Sequence, residues 1–395
     1  MKKRKILIAG GGIGGLAAAG CLLKAGHDVE VFEQAGELSE VGAGIQFSAN
    51  AVHVLHHLGL GGQLEKIAFR PQAYKFRLHD TGEVIQSFPI AAQHEKSHGA
   101  PYLQVHRADV YNLLIDRVRA FKDNAIHIDH KVIGFEEHDG GVEIRCADGS
   151  TAEGDMLIGA DGIKSTVREQ LIGPVAADYT GDVAWRITVP MNLLPGNYMD
   201  HAISVWMAPK SHAVVYYLRG GALANFVGIV EADDPPAESW TTRESWNQLK
   251  ADFAGWHDRI QVLIDNAARD ECYRWALHIR KPIERWSSAT VTLLGDAAHP
   301  TLPYLAQGAA MALEDAAIIA RALDQAGDVA AALQLYERNR AGRAARIVTE
   351  SSANRGVFHA RSVAELREVF RNRNMGRERN GWLYSYNPLQ VSLTK

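Results

Sequence analysis

The chain has 395 residues, with 42 Lys and Arg against 46 Asp and Glu, a formal net charge of −4. Its length suits two domains or one large α/β body, and 47% hydrophobic with 22% charged residues excludes a disordered chain. A weakly acidic balance with no long basic run excludes nucleic acid as a main partner. The widely separated Cys21, Cys146 and Cys272 give neither a metal-binding CxxC spacing nor a disulfide framework, which fits a reducing compartment.

Lys2 to Lys5 and the apolar run to Leu23 imitate a secretory leader. Six glycines between positions 10 and 20, and the early return of Lys24 and His27, argue against one. Ala18 also stands where a lipoprotein signal around Cys21 would place an aliphatic residue. No stretch reaches the ~18 uninterrupted apolar residues of a membrane span. The expectation is a soluble cytoplasmic protein without a membrane partner.

Residues 5–9 predict a short strand that runs into glycines, 13–25 a small-residue helix, and 28–33 an alternating strand. Together they form a β-α-β unit, the beginning of a doubly wound sheet. Residues 74–78 and 83–88 flank Asp80-Thr81-Gly82 as a hairpin. A helix is expected over 108–121, strands over 126–136 and 141–146, and a buried strand over 156–160. From Tyr179 to Tyr273 the chain turns aromatic, with Trp185, Trp206, Tyr216, Tyr217, Phe226, Trp240, Trp246 and Trp256. Alternating runs at 211–218 and 224–230 predict an antiparallel sheet here, forming a second domain, with a loop at 232–236. Residues 290–294 return to an apolar strand, and 307–323 predict an Ala-rich helix with a buried stripe of Ala312, Leu313, Ala316, Ile319 and Ala320. Residues 338–379 hold eleven Arg, interleaved with or adjoining Glu337, Glu350, Glu365, Glu368 and Glu378. This stretch reads as a solvated helix face with i,i+4 pairs rather than an anion-attracting surface.

Gly10-x-Gly12-x-x-Gly15 follows a strand and opens a helix, the context a dinucleotide fingerprint requires. Gly10 allows the tight turn, Gly12 lets backbone approach a pyrophosphate, and Gly15 permits close helix–strand packing. The helix N-terminus offers unpaired N–H groups to phosphates. Glu33 follows Gly10 by 23 positions, where a carboxylate accepts hydrogen bonds from ribose hydroxyls. A glycine-rich turn without ligand is the bland alternative.

Two later segments refine this reading: Asp155-Met-Leu-Ile-Gly-Ala-Asp-Gly-Ile-Lys-Ser-Thr-Val-Arg168, and Gly295-Asp-Ala-Ala-His-Pro300 directly after a strand. With the N-terminal unit they resemble the single-component flavoprotein aromatic hydroxylases, the family of salicylate, 3-hydroxybenzoate and 6-hydroxynicotinate hydroxylases. The resemblance covers nearly the whole chain, with three motifs in order. It implies an α/β fold: a Rossmann-type FAD-binding body (1–73, 101–178 and 276–395, the last with C-terminal helices) interrupted by a mainly antiparallel-sheet substrate domain (a hairpin at 74–100, then 179–275). It implies FAD as cofactor, held by Gly10, Gly12, Gly14, Gly15, Glu33 and Gln34 at the ADP half. Asp296 with Gly295, Arg107, Val132, Asp161, Gly308 and Ala309 complete the implied set. Outside that context Asp161 reads as a turn aspartate and Arg107 as a helix cap. The helix from Gln307 would set its positive end near the flavin pyrimidine.

The implied activity is NADH- or NADPH- and O2-dependent hydroxylation of a small hydroxylated aromatic acid through a flavin C4a-hydroperoxide. The nicotinamide would bind transiently, since no second fingerprint is present, and the protein would be a monomer or homodimer. Such chemistry needs a base or relay near the substrate hydroxyl. His212 and Tyr216 share one strand face, at the spacing of the pair proposed for hydroxynicotinate hydroxylases, although either could be plain core. His299 reads as structural. Gln46 and Tyr304 stand where the hydroxynicotinate enzymes carry histidines, which leaves a benzoate-type substrate open. Another FAD enzyme on the same frame (an oxidase, or a halogenase lacking its Trp-x-Trp-x-Ile-Pro segment) and a flavin-binding regulator without turnover are the alternatives. No metal ligand set is expected.

Overall fold

The computed structural model describes residues 2–39, 44–233, 242–372 and 380–394. Most of the expected 232–236 loop, Trp240, and the end of the Arg-rich stretch with Glu378 lie outside these residues.

Five parallel strands, in the order β17 (Val291–Leu293), β11 (Met156–Gly159), β1 (Lys5–Ala9), β2 (Asp28–Phe32) and β7 (Ile126–His127), form the first sheet. Ile6, Leu7, Ile8, Leu157 and Ile158 are fully buried, because a parallel sheet is covered on both faces. The crossover helix α1 (Ile13–Lys24) packs against α5 (Arg107–Phe121) and α9 (Gly308–Gln325). Beside this sheet, β8 (Val132–His138), β9 (Gly141–Cys146) and β10 (Thr151–Gly154) make an antiparallel ribbon of three strands. The strand expected over 126–136 is therefore two strands in two sheets, parted at Asp129, whose φ of +60° a strand cannot hold.

A second sheet has seven strands in the order β16 (Tyr273–Ile279), β12 (Asp178–Pro190), β15 (Leu223–Glu231), β14 (Ser211–Leu218), β13 (Ala202–Ala208), β4 (Ala73–Leu78) and β5 (Val84–Pro89). It is antiparallel except where β4 joins β13 in parallel, which brings the early hairpin into the later aromatic region. One face is sealed by α7 (Trp246–Asp252) and α8 (Asp258–Asp265) over Trp185, Phe226, Phe253 and Ile260. Trp246 and Trp256 belong to this cover and not to the antiparallel sheet expected from the aromatic stretch. The other face looks toward the first body.

A two-stranded ribbon, β3 (Gly44–Phe47) with β6 (Leu103–His106), joins the two bodies. The Gly44 N–H donates to the buried Asn225 Oδ1 at 2.9 Å, and a Cβ at Gly44 would lie 2.4 Å from the Tyr216 hydroxyl. Only glycine allows that approach. Helices α2 (Ala49–His57), α3 (Gly61–Ile67), α4 (Ala91–His98), α6 (Thr166–Ile172), α10 (Val329–Phe358), α11 (Val363–Asn372) and α12 (Gly381–Tyr384) complete the fold. No helix of the described residues is long and apolar enough to cross a membrane.

Two sequence expectations fail on α9 and α10. α9 is buried on every side from Ala310 to Ala320, with Glu314 and Asp315 fully buried among the alanines. The Arg-rich stretch answers them. Arg340 is 0% exposed and donates from Nη1 to Glu314 and from Nε to Asp315, each at 2.6 Å, while Arg343 bridges to Glu314 at 2.7 Å. Arg346–Glu350 keeps the expected i,i+4 surface geometry. The solvated-face reading is thus wrong at Arg340 and Arg343, which counter two carboxylates hidden on the neighbouring helix. Removing one partner of such a buried set typically costs about 3–5 kcal/mol.

Candidate active site

A cavity of about 1140 Å³ lies between the two bodies. On the first body its wall is mostly backbone. Gly10 has φ +103° and no room for a Cβ, which would sit 2.4 Å from the Ala160 carbonyl oxygen. A Cβ at Gly15 would sit 2.0 Å from the Gly10 carbonyl oxygen, and one at Gly14 would press on Leu294 and Ala312. Gly12 differs: its missing side chain points into open space with nothing within 4 Å, at the N-cap of α1. Glu33 accepts from the Gly11 N–H at 2.7 Å and the Ala35 N–H at 2.8 Å, so it braces the glycine turn. Neither Gly10, Gly15 nor Glu33 lines the cavity; they shape the loop that does. Gln34 is exposed, and Val132 opens β8 of the three-stranded ribbon with its side chain buried in the core.

The Gly295 turn, at φ +62°, presents Asp296 to the cavity. Burial raises the Asp296 pKa, opposed by His299 and Arg107. Arg107 opens α5 and also lines the cavity. Asp315 holds this turn from behind, accepting from the Gly295 N–H at 2.9 Å and contacting His299 Nε2 at 2.6 Å. His299 is therefore structural, as its sequence context suggests. The N-terminus of α9 opens at Gly308 and Ala309, fixed by the buried Gln307, whose Oε1 accepts from Asn50 at 3.0 Å. Asp161 lines the cavity but is also a helix cap: it accepts from the Ser165 hydroxyl and from the N–H groups of Thr166 at 2.8 Å and Val167 at 3.2 Å. Two helix N-termini, an uncrowded glycine and an inward carboxylate beside an arginine are the donor set a dinucleotide's phosphates and hydroxyls need, so the residues present fit FAD.

The opposite wall is built from side chains. His212 and Tyr216 on β14 both face the cavity, while the Tyr217 hydroxyl donates to the Met199 carbonyl on the far side. Tyr102 donates to Gln46 Oε1 at 2.8 Å, and the Gln46 side chain lies close enough to the Tyr216 hydroxyl to oppose the effect of burial on it. Burial pushes the Tyr216 hydroxyl well above the usual phenol range. Tyr304 donates to the buried Asp182 Oδ2 at 2.6 Å, so its proton is directed away from the cavity.

Sequence reasoning missed two features here. Arg186, on β12, lines the chamber with its guanidinium 4.9 Å over the Trp275 ring. Only the pairing of β12 with β16 reveals it. The second is a polar cluster behind His212. His212 Nδ1 lies 3.0 Å from His359 Nε2, and His359 adjoins Glu231 and Asp182. Asp182, Glu231 and His359 converge closely enough to bracket a cation, and the Arg355 guanidinium is that cation, donating to Asp182 at 2.6 and 2.7 Å. Arg355 is a further exception to the solvated-face reading. His94, a competing base in the wall, has its lone pair taken, since its Nε2 accepts from the Ala49 N–H at 3.2 Å, and burial lowers its pKa to about 3.

Comparisons with known proteins agree with this geometry. The family model described as FAD binding domain matches residues 3–351. The 3-hydroxybenzoate 6-hydroxylase of Polaromonas naphthalenivorans is 37% identical over 97% of this chain and 96% of its own. The 6-hydroxynicotinate 3-monooxygenase of Bordetella bronchiseptica is 36% identical over 89% and 91%. Among solved structures, Klebsiella pneumoniae HpxO complexed with FAD and uric acid has a TM-score of 0.84 at 29% identity, over 98% of this chain and 96% of that one. The chain belongs to the FAD-binding family of flavoprotein aromatic monooxygenases.

Proposed function

We propose that the protein uses NADH or NADPH and O2 to hydroxylate a small hydroxylated aromatic or N-heteroaromatic carboxylic acid, of the hydroxybenzoate or hydroxynicotinate type. The observation that carries this reading is one continuous cavity whose first wall suits FAD, and whose second sets Arg186, Gln46, Tyr216 and His212 in an aromatic chamber.

FAD, when bound, supplies electron transfer from the nicotinamide and activation of O2. Gly12, Gly14, Arg107, Asp161, Gly295, Asp296, Gly308 and Ala309 would hold it, with Gly10, Gly15 and Glu33 shaping the loop. Arg186 takes the substrate carboxylate; a planar guanidinium suits a bidentate pair, and Trp275 backs its cation. The Tyr102–Gln46–Tyr216 chain fixes the position of the ring hydroxyl. His212 withdraws the hydroxyl proton, which makes the ring electron-rich. Tyr304 serves by holding Asp182 rather than as a base. Phe76, Phe88 and Trp275 exclude water from the chamber.

The test is aerobic oxidation of NADH and NADPH by the purified flavoprotein with salicylate, 3-hydroxybenzoate, 4-hydroxybenzoate and 6-hydroxynicotinate, with product mass read alongside. Stimulation by one acid, and a product that gains one oxygen with or without loss of CO2, is expected. Bound FAD with no stimulation by any of them would reject this substrate class.

A further inference from the structure

The cluster behind His212 has a direction. His359 Nδ1 faces two carboxylates, Glu231 Oε1 at 3.4 Å and Asp182 Oδ1 at 3.6 Å, and hydrogen-bonds neither at rest. Two acceptor carboxylates on that side favour the tautomer with the proton on Nδ1 of His359. Burial lowers the pKa of both His359 and His212, which favours the neutral form of each ring. The Nε2 of a neutral His359 is then an acceptor, and the His212 Nδ1–H, 3.0 Å away, donates to it. That leaves the basic lone pair of His212 on Nε2, the ring nitrogen remaining for the cavity that His212 lines. Two buried histidines are thus oriented in series by the carboxylates beyond them.

The far end is open. Glu231 closes β15 with 30% of its side-chain surface exposed, whereas the side chains of His359 and Asp182 are at 1% and 0%. Asp182 and Glu231 are direct cross-strand partners, an arrangement that repels unless a cation intervenes. Arg355 intervenes, donating twice to Asp182 and lying 3.3 Å from Glu231, while Tyr304 donates to Asp182. These bonds tie Asp182 in place and leave Glu231 as the member that can exchange protons with water.

We propose that His359 and Glu231 are the outlet for the proton removed from the substrate, an inference that rests on the hydroxylase reading above. His212 Nε2 takes the ring-hydroxyl proton as the oxygen keeps the electron pair. His212 Nδ1 gives its proton to His359 Nε2, and His359 Nδ1 gives its own to Glu231, which releases it to solvent. Each ring gains one proton and loses one, so both end neutral with tautomers exchanged. A proton travelling inward to the hydroxylated product restores them. His359 and Glu231 act through His212 and are positioning residues; Asp182, Arg355 and Tyr304 hold the carboxylates beside the transient imidazolium.

The experiment mixes oxidised holoenzyme with 3-hydroxybenzoate, salicylate or 6-hydroxynicotinate in weakly buffered phenol red. It reads proton release by stopped flow and acid binding by the flavin difference spectrum. His359→Gln is the informative variant, because glutamine accepts from His212 and donates to Glu231 but cannot relay. Release should slow about tenfold or more, with FAD content and acid affinity within about twofold of wild type. Glu231→Gln should slow release less, and Glu231→Asp should recover part of the rate. Release unchanged in His359→Gln would overturn the outlet. If wild type binds none of the acids, the substrate reading falls instead, and the outlet is judged by nitrogen-15 histidine spectra of the holoenzyme, assigned with His212→Gln and His359→Gln. Nδ1–H tautomers on both rings are expected, and Nε2–H on His212 would overturn it.

Discussion

The two walls of the cavity are made by different means. The first offers backbone: glycines without side chains, two helix N-termini and one inward carboxylate, with the Gly295 turn and α9 backed by the ion network of α9 and α10 and the first glycine turn braced by Glu33. The second offers side chains carried on strands distant in sequence: Gln46 on β3, Arg186 on β12, His212 and Tyr216 on β14. A backbone wall recognises what every flavin shares, phosphates and hydroxyls, whereas a side-chain wall can be re-specified by single substitutions. The difference predicts that changes on the first wall act on cofactor retention and stability, and changes on the second on substrate handling alone.

The largest effect expected is at the support of the first wall. Arg340→Met leaves buried Glu314 with Arg343 and buried Asp315 with His299 as their remaining cationic partners, and should cost about 3–5 kcal/mol of stability, with loss of FAD, in denaturant unfolding of the holoenzyme. Next is Gly12→Val. A Cβ at this position has no protein atom within 4 Å, so apoprotein stability should hold while FAD affinity falls about a hundredfold or more. A yellow variant with normal FAD stoichiometry would break the comparison. Gly15→Ala, by contrast, meets the Gly10 carbonyl and should lower both.

The network also sets an acid limit. Burial alone would raise Asp315, but His299 and Arg340 outweigh it and hold the carboxyl at about 2. A depressed carboxylate contributes stability above its unfolded value near ~4 and loses it as pH falls through about 2. About 2 kcal/mol should therefore disappear between those values. Asp315→Asn should flatten that part of the stability–pH curve, and an unaltered slope would remove Asp315 from the account.

On the second wall, Arg186→Gln should weaken binding of the aromatic acid by about tenfold or more with FAD content unchanged. An equal loss of FAD would blur the division between the walls. The smallest effect expected is Tyr216→Phe, which should slow hydroxylation several-fold, under about 1.4 kcal/mol, while Gln46 and Tyr102 still shape the chamber. Unchanged turnover across the accessible pH range would take Tyr216 out of the mechanism.

The same contrast explains what could be read in the sequence. A backbone site needs glycines at fixed spacing between a strand and a helix, so Gly10 to Gly15 mark themselves locally, whereas Gly295-Asp296, Gly308 and Ala309 are legible only through the resemblance to the flavoprotein hydroxylases. His212 and Tyr216 were legible because a strand's period of two places them on one face. Arg186 was not, since nothing near it in the chain shows that β16 will set Trp275 beneath it. His359 and Arg355 sit in a segment whose arginines resemble surface charge, and their partners Asp182 and Glu231 lie more than a hundred residues earlier. Likewise an Ala-rich helix gives no sign that Glu314 and Asp315 face inward until α10 brings Arg340 against them.

The most direct test of the account is turnover of the acid that stimulates NAD(P)H oxidation under isotopically heavy dioxygen. The account predicts one heavy oxygen atom in the ring product, formed in step with nicotinamide oxidation. Product without the label, or hydrogen peroxide as the sole fate of the dioxygen, would contradict it.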